Sequence, residues 1–294
     1  MTKRHPPRLR RSLLITPGDR PERIAKAATL AADGIVLDLE DGVGPEQKPA
    51  AREAIGEALA KIDFGRRERI VRVNAVGTAE HAADLARLDI RNIDTLFVPK
   101  VESADQLHQL STWLHAAERG DVRTRPVELI ATIETPRGLL NALAIADASP
   151  RTTALFFGSG DYTAATGSAV TERALAMPRA LIVAAAAAVR IEAIDAAYFV
   201  AVKDIDATRA DALLARELGF QGKLLFHPGQ IAVANEVFTP GEAEIARARK
   251  IVAAYEMARR EGRGTAFVDG EFIAVDIAIM AEQTLARAAQ AAAT

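Results

Sequence analysis

The chain has no cysteine among its 294 residues. That absence removes disulfides, thiolate nucleophiles and sulfur-ligated zinc or iron together, so any metal must be held by oxygen or imidazole. Charge of one sign is not in excess. With 37 basic against 39 acidic side chains and a net charge of -2, the chain has no polyelectrolyte face to offer a phosphate backbone. Aromatics make up only 5%, too few for base-stacking surfaces, and nucleic acid is not an expected partner. Long hydrophobic runs are missing as well. The apolar stretch Ala184 to Val189 is bracketed by Arg179 and Arg190, well short of the roughly 20 residues a membrane span requires. Met1 to Arg11 is basic with no hydrophobic segment behind it, so the cytoplasm is the expected compartment.

What is present is apolar material, 49% of the chain, enough for one large core or two smaller ones. Eight short β-type runs recur, each followed by a helical stretch: Ser12 to Ile15, Gly34 to Leu37, Ile70 to Val73, Thr95 to Val98, Leu129 to Ile133, Ala154 to Phe157, Glu192 to Ile194 and Lys223 to Phe226. The stretches between them, such as Pro21 to Ala31, Lys48 to Ala60 and Ala104 to Ala117, return apolar residues at three- and four-residue spacing. Eight strand-helix alternations predict an α/β fold, a (β/α)8 TIM barrel, rather than a doubly wound sheet, which more often has fewer strands. The rhythm changes after Phe238, at Thr239-Pro240-Gly241. A charged helix over Glu242 to Arg260, a hairpin around Asp269-Gly270 and a last helix over Asp276 to Ala292 are expected there. The expected organisation is a barrel over residues 1–238 and a C-terminal helical lid extension over 239–294.

Active sites of such barrels lie at the C-terminal ends of the strands, and these ends are polar in almost every unit. Asp38, Glu40 and Asp41 follow the second strand, Arg72 and Asn74 the third, Lys100 the fourth, Glu134 the fifth, Asp161 the sixth, Asp195 the seventh and His227 the eighth. Glu134 and Asp161 follow adjacent strands, so both carboxylates can reach one cation, and an all-oxygen pair suits Mg2+. Against that stand a helix-capping role for Asp161 and a structural ion pair for Glu134. Arg72 offers a fork for a substrate carboxylate, or else neutralises the Asp38, Glu40 and Asp41 cluster. Lys100 is a candidate Schiff-base nucleophile if desolvation lowers its pKa. His227 is a candidate base or ligand, with a loop-shaping role beside Pro228 as the alternative, and His5, His81, His108 and His115 are expected at the surface.

Several blocks, taken together, resemble the citrate lyase β-subunit and malyl-CoA lyase family (HpcH/HpaI aldolases). They are Arg11 to Leu14 with Pro17-Gly18, Ala32 to Asp41, Lys48 to Arg52, Val71 to Asn74, Val98 to Glu102, Ile133-Glu134-Thr135, Phe157-Gly158 with Asp161, Gly219 to Lys223, and His227 to Gln230. With Asp269-Gly270 and Asp276 at the end, the likeness spans nearly the whole chain.

The resemblance implies a magnesium-dependent barrel enzyme that makes or breaks the carbon-carbon bond of a 3-hydroxyacyl thioester. It places Glu134 and Asp161 as metal ligands in contact with substrate, Arg72 on the substrate carboxylate, and Arg20 and Lys26 on coenzyme A. Asp276 matches an acid-base aspartate on a lid that closes over a neighbouring subunit's site, so a homo-oligomer, trimeric or hexameric, is expected. Three positions depart from the pattern: Gly160 where relatives have Glu, Phe226 where they have Ile, and Ile277-Ala278 where a proline is usual. Two activities are compatible with the resemblance. One is a free-standing lyase of the malyl-CoA or citramalyl-CoA type, releasing an acyl-CoA and a 2-oxoacid; the other is the lyase subunit of a citrate lyase complex, with citryl thioester carried on an acyl carrier protein.

Overall fold

The computed structural model describes residues 7–120, 125–197 and 199–293; His5 lies outside them. The strands β1 (Ser12–Pro17), β2 (Gly34–Asp38), β3 (Glu68–Arg72), β4 (Thr95–Val98), β5 (Glu128–Ile133), β6 (Thr152–Phe157), β7 (Glu192–Ala196) and β8 (Gly222–Leu225) pair parallel in chain order. They close into a barrel through β8 against β1. All eight expected runs are strands, including the shortest, at Glu192. Period-two alternation sends one set of residues inward, among them Leu13, Val36, Phe97, Ile130 and Leu224, all essentially inaccessible to solvent. Among the described residues no helix is long and apolar enough to cross a membrane.

Helices alternate with these strands and form the outer layer. They are α1 (Pro21–Ala27), α2 (Lys48–Lys61), α3 (Ala79–Arg87), α4 (Ala104–Ala117), α5 (Pro136–Leu140), α6 (Ala142–Ala146), α7 (Ser159–Thr166), α8 (Glu172–Ala188) and α9 (Ile205–Leu218). Their starts are legible locally. Pro21 and Pro136 occupy the first turn, where the missing N–H costs nothing. Thr171 and Asp204 cap α8 and α9 by accepting hydrogen bonds from the amides of Ala174 and Ala207.

The N-terminal end of the barrel is closed by ions rather than by hydrocarbon. Arg10, fully buried, donates to Glu68 at 2.7 and 2.8 Å and to Glu128 at 2.7 Å, and pairs with Glu192 at 3.2 Å. These carboxylates begin β3, β5 and β7, so alternate strands supply one layer around a single guanidinium. Burial alone would raise the pKa of Glu68. The charge and hydrogen bonds of Arg10, with Arg8 and Thr95, outweigh it and hold the carboxyl below its usual range. A carboxylate depressed in the folded state adds stability that is complete above its unfolded pKa of about 4.5 and is lost as the pH falls through the lower folded value. Glu68→Gln should therefore flatten the acid limb of a urea-midpoint profile below about pH 4.5. An equally steep limb would contradict the assignment.

The chain forms two compact units, Met1–Asn235 and Glu236–Thr294. Helix α10 (Ile231–Val237) runs across the division. The second unit pairs α11 (Glu242–Arg260) with α12 (Val275–Ala292) and carries the hairpin β9 (Ala266–Val268) and β10 (Glu271–Ile273). Asp269 and Gly270 both have positive φ, 49° and 86°, as a two-residue hairpin turn requires. The apolar stripe of α12 finds a partner here: Ile277 and Leu285 pack on the core formed by Ala248, Ile251 and Ala258 of α11. Met280, three residues after Ile277, is 65% exposed.

Candidate active site

The loop after β2 is built on Asp38. Its buried carboxylate accepts from the amides of Glu40 and Gly42, both at 2.9 Å, and from Arg72 Nε at 2.6 Å and Nη2 at 2.7 Å. Parallel register places Arg72, the last residue of β3, opposite Asp38, the last of β2. A Cβ on Gly42 would lie 2.3 Å from Asp38 Oδ2, so a larger residue here would have to displace the carboxylate that Arg72 holds. Arg72 Nη1 also pairs with Glu40 at 3.1 Å. Burial disfavours the Arg72 cation, but the hydrogen bonds and charge of Asp38, with Glu40 and Glu134, raise its pKa further. Two of the five guanidinium donors thus hydrogen-bond Asp38, and Nη1 is held by charge beside Glu40. The side-on fork closes on Asp38, and the charge also serves Glu40.

Beneath this loop lies a buried polar network that the sequence did not reveal. Lys48 Nζ donates to the carbonyls of Leu39 and Glu40 and to Asn74 Oδ1, at 2.6, 2.9 and 2.7 Å. Asn74 in turn donates to Asp84, which also receives Arg52 Nε at 2.7 Å. His81 belongs here and not to the surface: it is 7% exposed, with Nδ1 2.9 Å from the Asn74 carbonyl. Burial, as the largest influence, lowers its pKa. His108 and His115 are exposed as expected.

Lys100 links this loop to the next two strands. Its backbone is left-handed, φ 53°, a sparsely populated conformation that non-glycine residues keep mainly where surrounding contacts hold it. Its amide donates to Glu134 Oε1 at 2.7 Å, and its ammonium binds Glu40 and Asp41. Burial pulls the lysine pKa down, but Glu40 and Asp41 outweigh it and the net shift is upward. A Schiff-base nucleophile needs the opposite, so that expectation for Lys100 is not met.

Glu134 and Asp161 meet at the ends of β5 and β6, which are paired strands. Glu134 is 3% exposed. Its carboxyl is pushed up to about 8 by burial first, then by the charges of Asp161 and Glu40. Gly158 permits the close approach, since a Cβ there would stand 2.6 Å from Glu134 Oε2. Asp161 is the third residue of α7 while Gly158 holds the N-cap position, so Asp161 is not the cap of this helix. His227 accepts from the Gly229 amide at 3.0 Å and donates its own to Gln230, a turn-shaping role. Asp195 does not reach the site. It is fully buried and bonded to Lys223 at 2.6 Å and Arg179 at 2.8 Å, because its place in β7 turns it away from the interior Ile194 and Ala196.

A cleft of about 430 Å³ opens beside β1 and β8, lined by Thr16, Pro17, Arg23, Lys26, Phe226 and His227 among others. Lys26 and Arg23, three apart on α1, put two cations on one wall; that spacing was readable in the sequence, although only Lys26 was singled out. Arg20 precedes α1, is 57% exposed and pairs with Asp19 at 3.6 Å. Asp276 is exposed in the first turn of α12, in the second unit.

Residues 11–228 match the sequence model of the HpcH/HpaI aldolase/citrate lyase family. The chain belongs to that family. Over 280 residues it is 39% identical to a (3S)-malyl-CoA thioesterase of Cereibacter sphaeroides, covering 95% of this chain and 94% of the relative. It is 37% identical to an L-malyl-CoA/beta-methylmalyl-CoA lyase of Rhodobacter capsulatus, with coverages of 93% and 92%. Among solved structures, protein CitE from Mycobacterium tuberculosis in complex with magnesium, acetoacetate and coenzyme A superposes with a TM-score of 0.75. It is 34% identical and covers 95% of this chain and 97% of that one. The closed eight-stranded barrel seen here is the fold of this HpcH/HpaI relative.

The donor set also bears on the metal. Glu134 and Asp161 offer only oxygen, and among the described residues no group of three or more carboxylates and imidazoles forms a ligand cluster. Two carboxylates with room for waters and substrate oxygens are what magnesium commonly uses. Burial first, and then the charges of Asp161 and Glu40, push Glu134 up to about 8, and a divalent cation would relieve the repulsion among those charges. One turn of strand below, the hydroxyl of Thr132 is buried without a partner. The residues present fit a hard divalent ion.

Proposed function

We propose that this protein is a magnesium-dependent carbon-carbon lyase. Its substrate is a 3-hydroxyacyl-CoA thioester of the malyl-CoA or citramalyl-CoA type, cleaved to acetyl-CoA or a related acyl-CoA and a 2-oxoacid, or formed from them. The convergence of Glu134, Asp161 and the Arg72 guanidinium at one end of the barrel carries this reading. Glu134 and Asp161 hold the magnesium, which when bound polarises the oxygen that becomes the oxoacid carbonyl. Arg72, fixed by Asp38, directs its N–H groups not bonded to Asp38 at the substrate carboxylate. As the bond breaks, the hydroxyl carbon becomes a carbonyl, its hydroxyl proton passes to the Asp276 carboxylate, and the electron pair stays on the carbon beside the thioester. Asp276 supplies the proton that carbon needs, from the lid of a neighbouring protomer in a trimer or hexamer. Arg20 and Lys26, joined by Arg23, bind the phosphates of coenzyme A, and these cations favour a nucleotide-bearing thioester over one on a carrier protein.

The metal assignment is tested by thermal unfolding with and without magnesium. The wild type should gain stability that rises with ion concentration as ligand linkage requires, and Glu134→Gln and Asp161→Asn should each lose that gain while remaining folded. An undiminished magnesium-induced shift in both variants would sink the assignment.

A further inference from the structure

A second cleft, about 320 Å³, lies between α8, α9 and the start of α7, the helix that carries Asp161. Its walls are Ser159 and Phe199 next to the candidate active site, and Leu175, Ala207, Ala210 and Leu214 from α8 and α9. Ser159 begins the helix that carries Asp161. The Phe199 ring lies 3.6 Å from the position a Cβ would take on Gly160, the residue before Asp161. Phe199 also meets Phe226 edge to face, with centroids 6.2 Å apart, and Phe226 lines the basic cleft beside β1 and β8. The two aromatic rings therefore touch, and each lines one cleft.

The chemistry of the second cleft differs from that of the first. Its buried charged groups are already engaged: Arg179 and Asp211 bond each other at 2.9 Å and join Asp195 and Lys223 in a neutral quartet of two cations and two carboxylates. Thr171 is occupied in capping α8. Besides the Ser159 hydroxyl and the exposed Glu172 carboxylate, the described lining offers a ligand chiefly hydrocarbon, continued at its rim by Val170 and Val200, 43% and 65% exposed. Its volume falls at the lower end of the range for small-molecule sites, about 300–1,000 Å³.

We propose that this cleft is the specificity pocket for the 2-oxoacid, taking an unbranched alkyl chain on the oxoacid held at Glu134 and Asp161, with Phe199 setting its entrance. The inference rests on the lyase reading and deepens it. The cations of the first cleft suit the phosphates of the thioester, whereas the second cleft is walled by Ser159 and Phe199, the neighbours of Gly160 and hence of Asp161, on the metal side where the oxoacid must sit. Binding energy here grows with each methylene removed from water.

The test titrates the magnesium-loaded protein calorimetrically with straight-chain 2-oxoacids of two to six carbons. Wild-type Kd should fall about fourfold per methylene (roughly 0.8 kcal/mol each) until the cleft is full. Ala210→Phe fills it from α9 and should collapse the ratio between the longest and shortest acids by about tenfold or more, while Phe199→Ala should move the optimum to longer chains. Ala207→Leu, one turn away, repeats the experiment if Ala210→Phe fails to fold. A flat series in the wild type, with the short acids still bound, overturns the specificity pocket and leaves the lyase reading standing. An unchanged slope in a folded cleft-filling variant overturns it equally. Failure of every 2-oxoacid to bind, at any length, overturns the lyase reading and this inference with it.

Discussion

Arg72→Ala is expected to lower kcat/KM by about a thousandfold, roughly 4 kcal/mol on the scale of removing one partner from a buried ion pair. The side chain serves three anions at once in this account. Its fork holds Asp38, Nη1 pairs with Glu40, and the N–H groups not bonded to Asp38 meet substrate. Truncation leaves the buried Asp38 without its cation, leaves Glu40 to Lys100 alone, and removes the donors to the substrate together. Arg72→Lys separates these effects. A lysine restores a point charge but not the planar fork, so that variant should recover part of the activity and still fall short by about 2 kcal/mol, some thirtyfold. Steady-state kinetics at saturating magnesium measure both. Full activity in Arg72→Lys would reduce the residue to neutralising the Asp38 and Glu40 loop.

Asp276→Ala should cost about 100- to 10,000-fold, the range for a lost general acid or base. The informative result comes from mixing. If the aspartate of one protomer works at the barrel of another, chains carrying Asp276→Ala and chains carrying Arg72→Ala, each nearly dead alone, should regain activity when coexpressed. Some sites in the mixed oligomer then combine an intact barrel with an intact lid. Turnover per mixed oligomer, with subunit composition verified by mass, is the measurement. No recovery would mean that Asp276 serves its own chain or takes no part in the chemistry.

The barrel was legible because its signal is periodic. Eight short apolar runs separated by helical spacing identify a (β/α)8 fold even where one run, at Glu192, is weak alone, since the fold needs a strand there to close β6 onto β8. Glu134 and Asp161 could be paired from sequence for a related reason: residues just past adjacent parallel strands are neighbours whatever the loops do. Inward and outward faces were harder to read. Asp195 follows the weak run as Asp161 follows β6, yet it lies inside β7 and points at the helices, a difference of strand end and register that composition does not encode. His81 looked like a surface helix residue because its partner, the Asn74 carbonyl, is a backbone group with no sequence signature. Lys100 follows the same logic in reverse. Its position at a strand end was visible, but the sign of its pKa shift depends on Glu40 and Asp41 arriving from a different loop.

Similarity to a relative named (3S)-malyl-CoA thioesterase makes the nature of the products decisive for whether this chain breaks a carbon-carbon bond. Purified enzyme with magnesium should be given a single 3-hydroxyacyl-CoA, malyl-CoA or citramalyl-CoA, and free thiol, acyl-CoA and 2-oxoacid quantified together over the first turnovers. A lyase gives acyl-CoA and 2-oxoacid in equal amounts, with no matching release of free coenzyme A thiol and no reaction in chelator. Free thiol appearing in step with intact 3-hydroxyacid, and no 2-oxoacid, would contradict the lyase reading.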